Sequence, residues 1–408
     1  MSKKNRNIRS NVMVGGGGLD LAGLRNLAQA YPGEFVQRTQ ALIDLPEDDP
    51  NRLRWSDVRD LKAFFNAFAE IPVSVRVMLH GQERSIMSSA FPVLSGNLTV
   101  AGINDAYNSV PVIGDQLVRD FDSVKETATI VGLLAEMQDN LERKEGEPYT
   151  LVGAGEERFD IGSNPKGLRM QITQEMIDRN DIENVQARVQ YLGEVPAEEI
   201  EETTLAEVTD HDGSAASGSN YVLNINKTGT KLYSSTANNP GTRAPTGTRV
   251  LNNALVDTSD LENLRLVLAS MLNSRGKRIA LPVSEMTLLV PDALMPVAQT
   301  IANSQFTPGV VGEVNVWGPQ GQYRPRILST PKLDALSTSA FYLGIPQKQF
   351  RRKWGIRMEM VTMSGDITNY LRHRIAFEAR VAWDCKVGAV DYVYMVQSLA
   401  ASTAPKDE

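Results

Sequence analysis

The chain has 408 residues, 42% of them hydrophobic and 22% charged, close to the averages of soluble globular domains and unlike those of disordered or membrane-embedded chains. That length leaves room for two or three modules. A formal charge of −7 argues against a sequence-independent nucleic-acid binder, which needs a cationic surface to release counterions from phosphates. A single cysteine, Cys385, excludes an intrachain disulfide framework and a multi-thiolate zinc site, and fits a reducing compartment.

Lys3, Lys4, Arg6 and Arg9 make the start basic, and the apolar run Val12, Met13, Val14 that follows is too short for a signal peptide or a membrane span. Residues 1–18, closing on four glycines, read as a mobile arm. A phosphate loop would need a following Gly-Lys-Ser/Thr, which is absent. Between 19 and 69 apolar residues fall at helical spacing: Leu21, Leu24 and Leu27, then Val58, Leu61, Phe64, Phe65 and Phe68. Periodicity leaves open whether this segment packs on its own chain or docks as an arm on a neighbour.

Residues 141–173 change character. Gly153, Gly155, Gly162, Asn164, Pro165 and Gly167 divide short pieces in which Phe159 and Ile161, then Leu168, Met170 and Ile172, alternate with polar residues. The spacing predicts a projecting hairpin with one apolar face, marginal without another surface to cover it. A long helix is expected over 182–210, with Ile182, Val185, Val189 and Leu192 on one stripe, a kink at Gly193 and Pro196, and a solvated acidic face at Glu198, Glu199, Glu201 and Glu202.

Composition shifts to Gly, Ser, Thr and Asn over 211–249, which reads as long loops. Ser259 and Glu262 then give a capping-box signal ahead of Leu261, Leu264, Leu268 and Leu272, with Gly276 closing the helix. A buried strand is expected over 286–290, and Pro291 and Asp292 open another helix reaching Asn303. Near the C-terminal end Leu371, Ile375, Phe377, Ala379, Val381, Trp383, Cys385 and Val387 occupy odd positions, while Arg372, Arg374, Glu378, Arg380, Asp384 and Lys386 occupy even ones. Sustained period two of that extent means roughly 55 Å of strand, with Ile356, Met358 and Met360 supplying an antiparallel partner.

Chemistry is sparse. His80, His211 and His373 are scattered, and Asp210-His211-Asp212 lacks further ligands at metal spacing. No nucleophile elbow, zinc-protease helix, phosphate loop or dinucleotide fingerprint is present; the chain reads as no enzyme, with no cofactor and no metal. Lys348, Arg351, Arg352 and Lys353, interleaved with Phe350 and Trp354, are the best candidates for DNA or subunit contact.

The order of arm, hairpin, long helix, α/β domain and long C-terminal strands resembles the major capsid proteins of tailed bacteriophages, with their Hong Kong 97-type fold. Phe91-Pro-Val-Leu-Ser-Gly-Asn97 followed by Ala106-Tyr107, Leu288-Leu-Val-Pro-Asp-Ala-Leu294, and Pro331-Lys-Leu-Asp334 with Phe341-Tyr-Leu-Gly344 are similar to segments of the Mu-type head subunits, the last pair to their return strand. The resemblance covers about residues 90–398. It implies an α+β fold with an N-terminal arm and helical segment (1–122), an extended hairpin loop region (123–172), a peripheral domain with spine helix and polar insert (173–250), an axial domain (251–343), returning peripheral strands (344–400) and a tail (401–408).

It also implies self-assembly into pentamers and hexamers of an icosahedral shell around double-stranded DNA, for which a mildly acidic wall is suitable. Tyr149, Leu151, Arg158, Phe159, Ile161 and Arg169 of the hairpin region are then expected at subunit interfaces. Expected partners are other copies of the chain, a portal, a scaffold or maturation protease, a decoration protein and packaged DNA without sequence specificity, with no membrane. The place is the virion, after assembly in the bacterial host cytoplasm. An encapsulin-like compartment shell is the alternative with the same fold, and an enzyme without recognisable motif the alternative outside it.

Overall fold

The computed structural model describes residues 34–136, 153–210, 222–233, 243–364 and 374–400 apart from short gaps, with a few positions between 13 and 29. The first elements are β1 (Met13–Val14), β2 (Gly18–Leu19), α1 (Phe35–Ile43), α2 (Leu61–Phe68), β3 (Pro72–Leu79), β4 (Gln82–Ser89) and α3 (Ala90–Ser109). Then come α4 (Gly114–Leu117), β5 (Arg119–Asp122), β6 (Thr127–Glu136), β7 (Gly153–Gly162), β8 (Lys166–Thr173), α5 (Gln174–Asp178), α6 (Ile182–Thr209), β9 (Val222–Ile225), β10 (Thr228–Lys231) and β11 (Arg249–Val250). The chain continues through α7 (Thr258–Ser270), β12 (Thr287–Pro291), α8 (Met295–Asn303), β13 (Arg326–Thr330), α9 (Pro331–Leu336) and β14 (Phe341–Gly344), and closes with α10 (Pro346–Gln349), β15 (Phe350–Ser364), β16 (Ile375–Ala389) and β17 (Met395–Ser398). The architecture is α+β, as the sequence implies. Among the described residues no helix is long and apolar enough to cross a membrane.

The chain divides into two compact units, one of Met1–Pro111, Pro165–Glu199 and Ile356–Trp383, the other of Val112–Asn164, Ile200–Gly355 and Asp384–Glu408. In the first unit Phe35, Trp55, Phe64 and Phe68 are buried and in ring contact, with centroids 6.2 Å apart for Phe35–Phe68, 6.0 Å for Trp55–Phe64 and 5.3 Å for Phe64–Phe68. The chain itself covers this cluster: the Trp55 indole donates to Thr99 Oγ1 of α3 at 3.1 Å, and the Gln186 amide of α6 donates to the Trp55 carbonyl at 2.8 Å. The helical reading of 19–69 is therefore seen as short helices whose aromatic face is satisfied intramolecularly. The hairpin β3/β4, paired from Pro72 opposite Ser89 to Leu79 opposite Gln82, had no counterpart among the expectations.

Helix α6 runs 28 residues without interruption through Gly193 and Pro196. The reason for Gly193 is a close approach: a Cβ there would stand 2.4 Å from the Ile103 carbonyl oxygen and 2.6 Å from Ala106 Cβ of α3. On the facing helix a Cβ at Gly102 would stand 2.7 Å from Val189.

The strand β8 pairs antiparallel with β16, Thr173 opposite Ile375 and Lys166 opposite Trp383. This corrects the reading of 141–173 as a single hairpin, since β8 belongs to the sheet β5-β15-β16-β8. The alternation at the C-terminal end is seen in β16, where Ile375, Phe377, Ala379, Val381 and Trp383 are buried. It breaks at Asp384, also buried, and the strand spans Ile375–Ala389. Its expected neighbour is present as the 15-residue β15.

In the second unit the sheet order is β11-β17-β14-β12-β13, with β12 parallel to β13 and antiparallel to β14. Every residue of the central β12 is buried, as a strand covered on both faces requires. Leu261, Leu264 and Leu268 of α7 join the same core as Leu288, Trp317 and Phe341. Three local expectations are corrected. Asp257, not Ser259, caps α7, with Asp260 closing the box, because Asp257 accepts from Ser259 N at 2.8 Å while Asp260 accepts from Asp257 N at 3.0 Å. The helix ends at Ser270, and Gly276 at φ 73° serves the turn after it, donating to Asn273 O at 3.0 Å. Residues 331–334 lie in helix α9, started by Thr330 and Pro331, so the return strand is Phe341–Gly344 alone.

Two buried phenols hold the last carbonyls of α6. Tyr233 donates to Val208 O at 2.8 Å, and Tyr342 donates to Thr209 O at 3.2 Å while accepting from Gln397 at 3.0 Å. Burial pushes the Tyr342 phenol up to about 12 from an ordinary 10.0. A raised acid contributes stability that is complete below its unfolded value and lost as pH rises through the folded one. Alkaline unfolding curves should therefore steepen between these two values, and Tyr342→Phe, which has no such proton, should flatten that window when denaturation midpoints are followed against pH.

Candidate functional site

The feature best placed to engage another molecule is the ribbon of β6 and β7, paired antiparallel from Thr127 opposite Gly162 to Glu136 opposite Gly153. Its sheet contains only these two strands, and a two-stranded ribbon is marginal alone in water. The short hairpin β9/β10 lies against β7 through β9. Of the expected interface residues, Arg158 and Phe159 lie on β7 opposite Val131 and Ile130, and Ile161, opposite Ala128, is 3% exposed. Tyr149 and Leu151 lie outside the described residues. Arg169 does not belong to the ribbon: it is on β8 opposite Arg380, exposed, with a guanidinium nitrogen 3.6 Å from Glu378.

The root of the ribbon is the segment α4–β5, and two charged side chains hold it. Glu201 on α6 is 2% exposed, and its two carboxylate oxygens accept from Ile113 N at 2.9 Å and Gly114 N at 2.8 Å. A carboxylate on unsatisfied backbone N–H groups at a helix start is the arrangement that helix ends favour. Burial pushes the Glu201 carboxyl above its usual value, outweighing the two N–H donors that pull it down. This corrects the reading of the acidic run as one solvated face. Within that run Glu202 remains exposed, 3.8 Å from Lys332, and Glu199 pairs with Lys166.

Arg352 on β15 supplies the second tie. Its Nε donates to Asp120 Oδ1 at 2.8 Å, and its Nη2 to Asp115 Oδ1 at 2.6 Å and Asp120 Oδ2 at 3.1 Å, while the guanidinium lies 5.0 Å from the Trp354 ring centroid. β5 runs parallel to β15 beside it, and Ser123 N donates to Trp354 O at 2.8 Å. Arg352 is 5% exposed and Lys353 fully buried, so only Lys348 and Arg351 of the basic cluster present surface in this chain. Lys348 pairs with Glu285 at 3.0 Å. Burial, with Arg119 beside it, pulls the Arg351 guanidinium below its ordinary value.

His80, His211 and His373 lie outside the described residues, and among the described ones no three His, Cys, Asp or Glu side chains cluster to hold a metal. The two ties were missed at the sequence level because their partners lie 87 and 88 residues away for Glu201 and 232 and 237 residues away for Arg352.

A family model described as phage capsid protein matches residues 164–398. No curated protein matches the chain. Among solved structures the chain is similar to a virus-like particle from Pyrococcus furiosus, at 6% identity over 74% of this chain and 97% of that one with a TM-score of 0.43. It is also similar to the capsid of cyanophage P-SCSP1u, at 15% identity over 72% and 89% with a TM-score of 0.44. A third is Mycobacterium phage Patience, at 14% identity over 76% and 87% with a TM-score of 0.42.

Proposed function

Because the chain belongs to the phage capsid protein family, whose match spans more than half of it, it is a structural component of a virion shell, and we propose that its copies form the pentamers and hexamers of an icosahedral head enclosing double-stranded DNA. The family match is the observation that carries this reading, and the order of elements gives it parts in the Hong Kong 97-type arrangement. The ribbon β6/β7 serves as the extended loop, α6 as the spine, the module over 251–343 as the axial domain, and the flanking stretches 173–250 and 344–400 as the peripheral domain. The segment 1–122 precedes these as arm and helical module.

A ribbon without a core of its own gains its stability from what it lies on, and in a shell that surface is a neighbouring subunit. Many such contacts, each burying apolar area at about 25 cal/mol per Å², add up to a wall that resists internal pressure. The acidic balance of the chain supports holding DNA without adhesion, with Lys348 and Arg351 as the remaining contacts. A portal, a scaffold or maturation protease, a decoration protein and assembly in the bacterial cytoplasm complete this reading.

The decisive experiment excises the ribbon. Thr127 and Gly162 are directly opposite each other, so a short Gly-Ser linker can replace residues 128–161 without disturbing β8. Folded subunits that form no closed shells by negative-stain electron microscopy are expected. Normal shells from the excised chain would sink the interlocking role.

A further inference from the structure

Between α8 and β13 the chain makes an excursion whose outer face is apolar and open. Phe306 and Val314 are partners in an antiparallel bridge, flanked by Thr307 N donating to Glu313 O at 2.9 Å and Asn315 N donating to Gln305 O at 3.0 Å. That pattern makes Phe306 and Val314 a non-hydrogen-bonded pair, the kind whose facing side chains come closest. Val316, two residues on, shares their face by the period-two rule. All three are exposed, at 58%, 67% and 45%.

The opposite face anchors them. Asn315 is 2% exposed, and its amide donates to Ile301 O at 2.5 Å and Ser304 O at 3.0 Å while its oxygen accepts from Trp317 N at 2.9 Å. Trp317 is buried against Tyr323, with ring centroids 5.7 Å apart, and the Arg265 guanidinium lies 4.8 Å from the Tyr323 centroid. Gly318 and Gly321 turn so tightly that a Cβ would meet the Ser304 and Val316 carbonyl oxygens at 2.2 Å and 2.1 Å. The apolar face is thus held in one geometry before anything binds it.

Together the three side chains expose on the order of 300 Å², at the low end of surface patches that mark interaction sites. A stable pairwise complex buries about 800 Å² on each partner, so this patch alone is too small to hold an independent soluble protein. It suits a contact multiplied by symmetry, because heterologous contacts between identical subunits close into rings in which every copy repeats the same small interface. We propose that the Phe306–Val314–Val316 face is a contact between copies of this chain within the assembled shell. The inference rests on the shell reading above and names a surface that the ribbon does not include.

The test compares three full-length chains by sedimentation velocity across a concentration series: the unaltered chain, the double variant Phe306→Ser and Val314→Ser, and Met363→Ser, which alters a comparably exposed residue (55%) on β15. The double variant should need at least tenfold more protein to associate, with unchanged thermal unfolding because both side chains already stand in solvent, whereas Met363→Ser should associate normally. Equal thresholds for the unaltered chain and the double variant overturn this surface and leave the shell reading intact. An unaltered chain that stays monomeric at every concentration overturns the shell reading and, with it, a second copy as the occupant.

Discussion

Gly193→Ala is expected to destabilise the subunit by about 2 kcal/mol, as overpacking does, although alanine in a helix interior ordinarily gains about 1 kcal/mol over glycine. The sign reverses because the atoms in the way are backbone. A Cβ would stand 2.4 Å from the Ile103 carbonyl oxygen and 2.9 Å from Tyr107 N, and neither can rotate aside as a side-chain tip would. Helix α3 must then move away from α6, loosening the packing of Val189 on Gly102 and of Trp55 beside it. Urea denaturation of the variant reads the effect directly, and a midpoint equal to or above the unaltered one would mean that the helices are not in contact at this point.

The sequence displays this crossing only as a glycine inside a helical pattern, which reads as a weak point or kink because nothing local says what passes by. The same limit separates what was legible from what was not. Period two between Ile375 and Trp383 predicted a strand with one buried face, and that face is buried, because alternation is a property of the strand itself. Which strand lies alongside is not such a property. The pieces around Phe159 and Met170 each read as strands, yet one pairs with β6 and the other with β16. Asp257/Asp260 and Ser259/Glu262 offer the same cap spacing two residues apart, and only the burial of Leu261, Leu264 and Leu268 fixes where the helix begins. For Phe306 and Val314 the sequence misleads, since large apolar residues read as core until the buried Asn315 shows which face points inward.

The tie at the ribbon root is legible in the same partial way: four cations stood out as a cluster, but their charges read as facing outward, toward phosphates or another subunit. Arg352 instead spends its guanidinium on Asp115 and Asp120. Charge-assisted hydrogen bonds contribute roughly 1.5–3 kcal/mol each where they are shielded from water. Asp115 is 63% exposed and can be rehydrated, which discounts its share; Asp120, at 32%, is less accessible. Arg352→Ala should therefore destabilise the subunit by about 3 kcal/mol. Lysine should recover only a small part of that, because an ammonium cannot reproduce the planar fork that reaches both carboxylates while lying over Trp354. Hydrogen exchange separates a local effect from a global one. In Arg352→Ala the amides of α4 and β5 should lose protection first while β12 and β14 keep theirs, as expected of a root that opens without unfolding the module behind it. Uniform loss across both would show that Arg352 holds the whole unit and not the base of the ribbon.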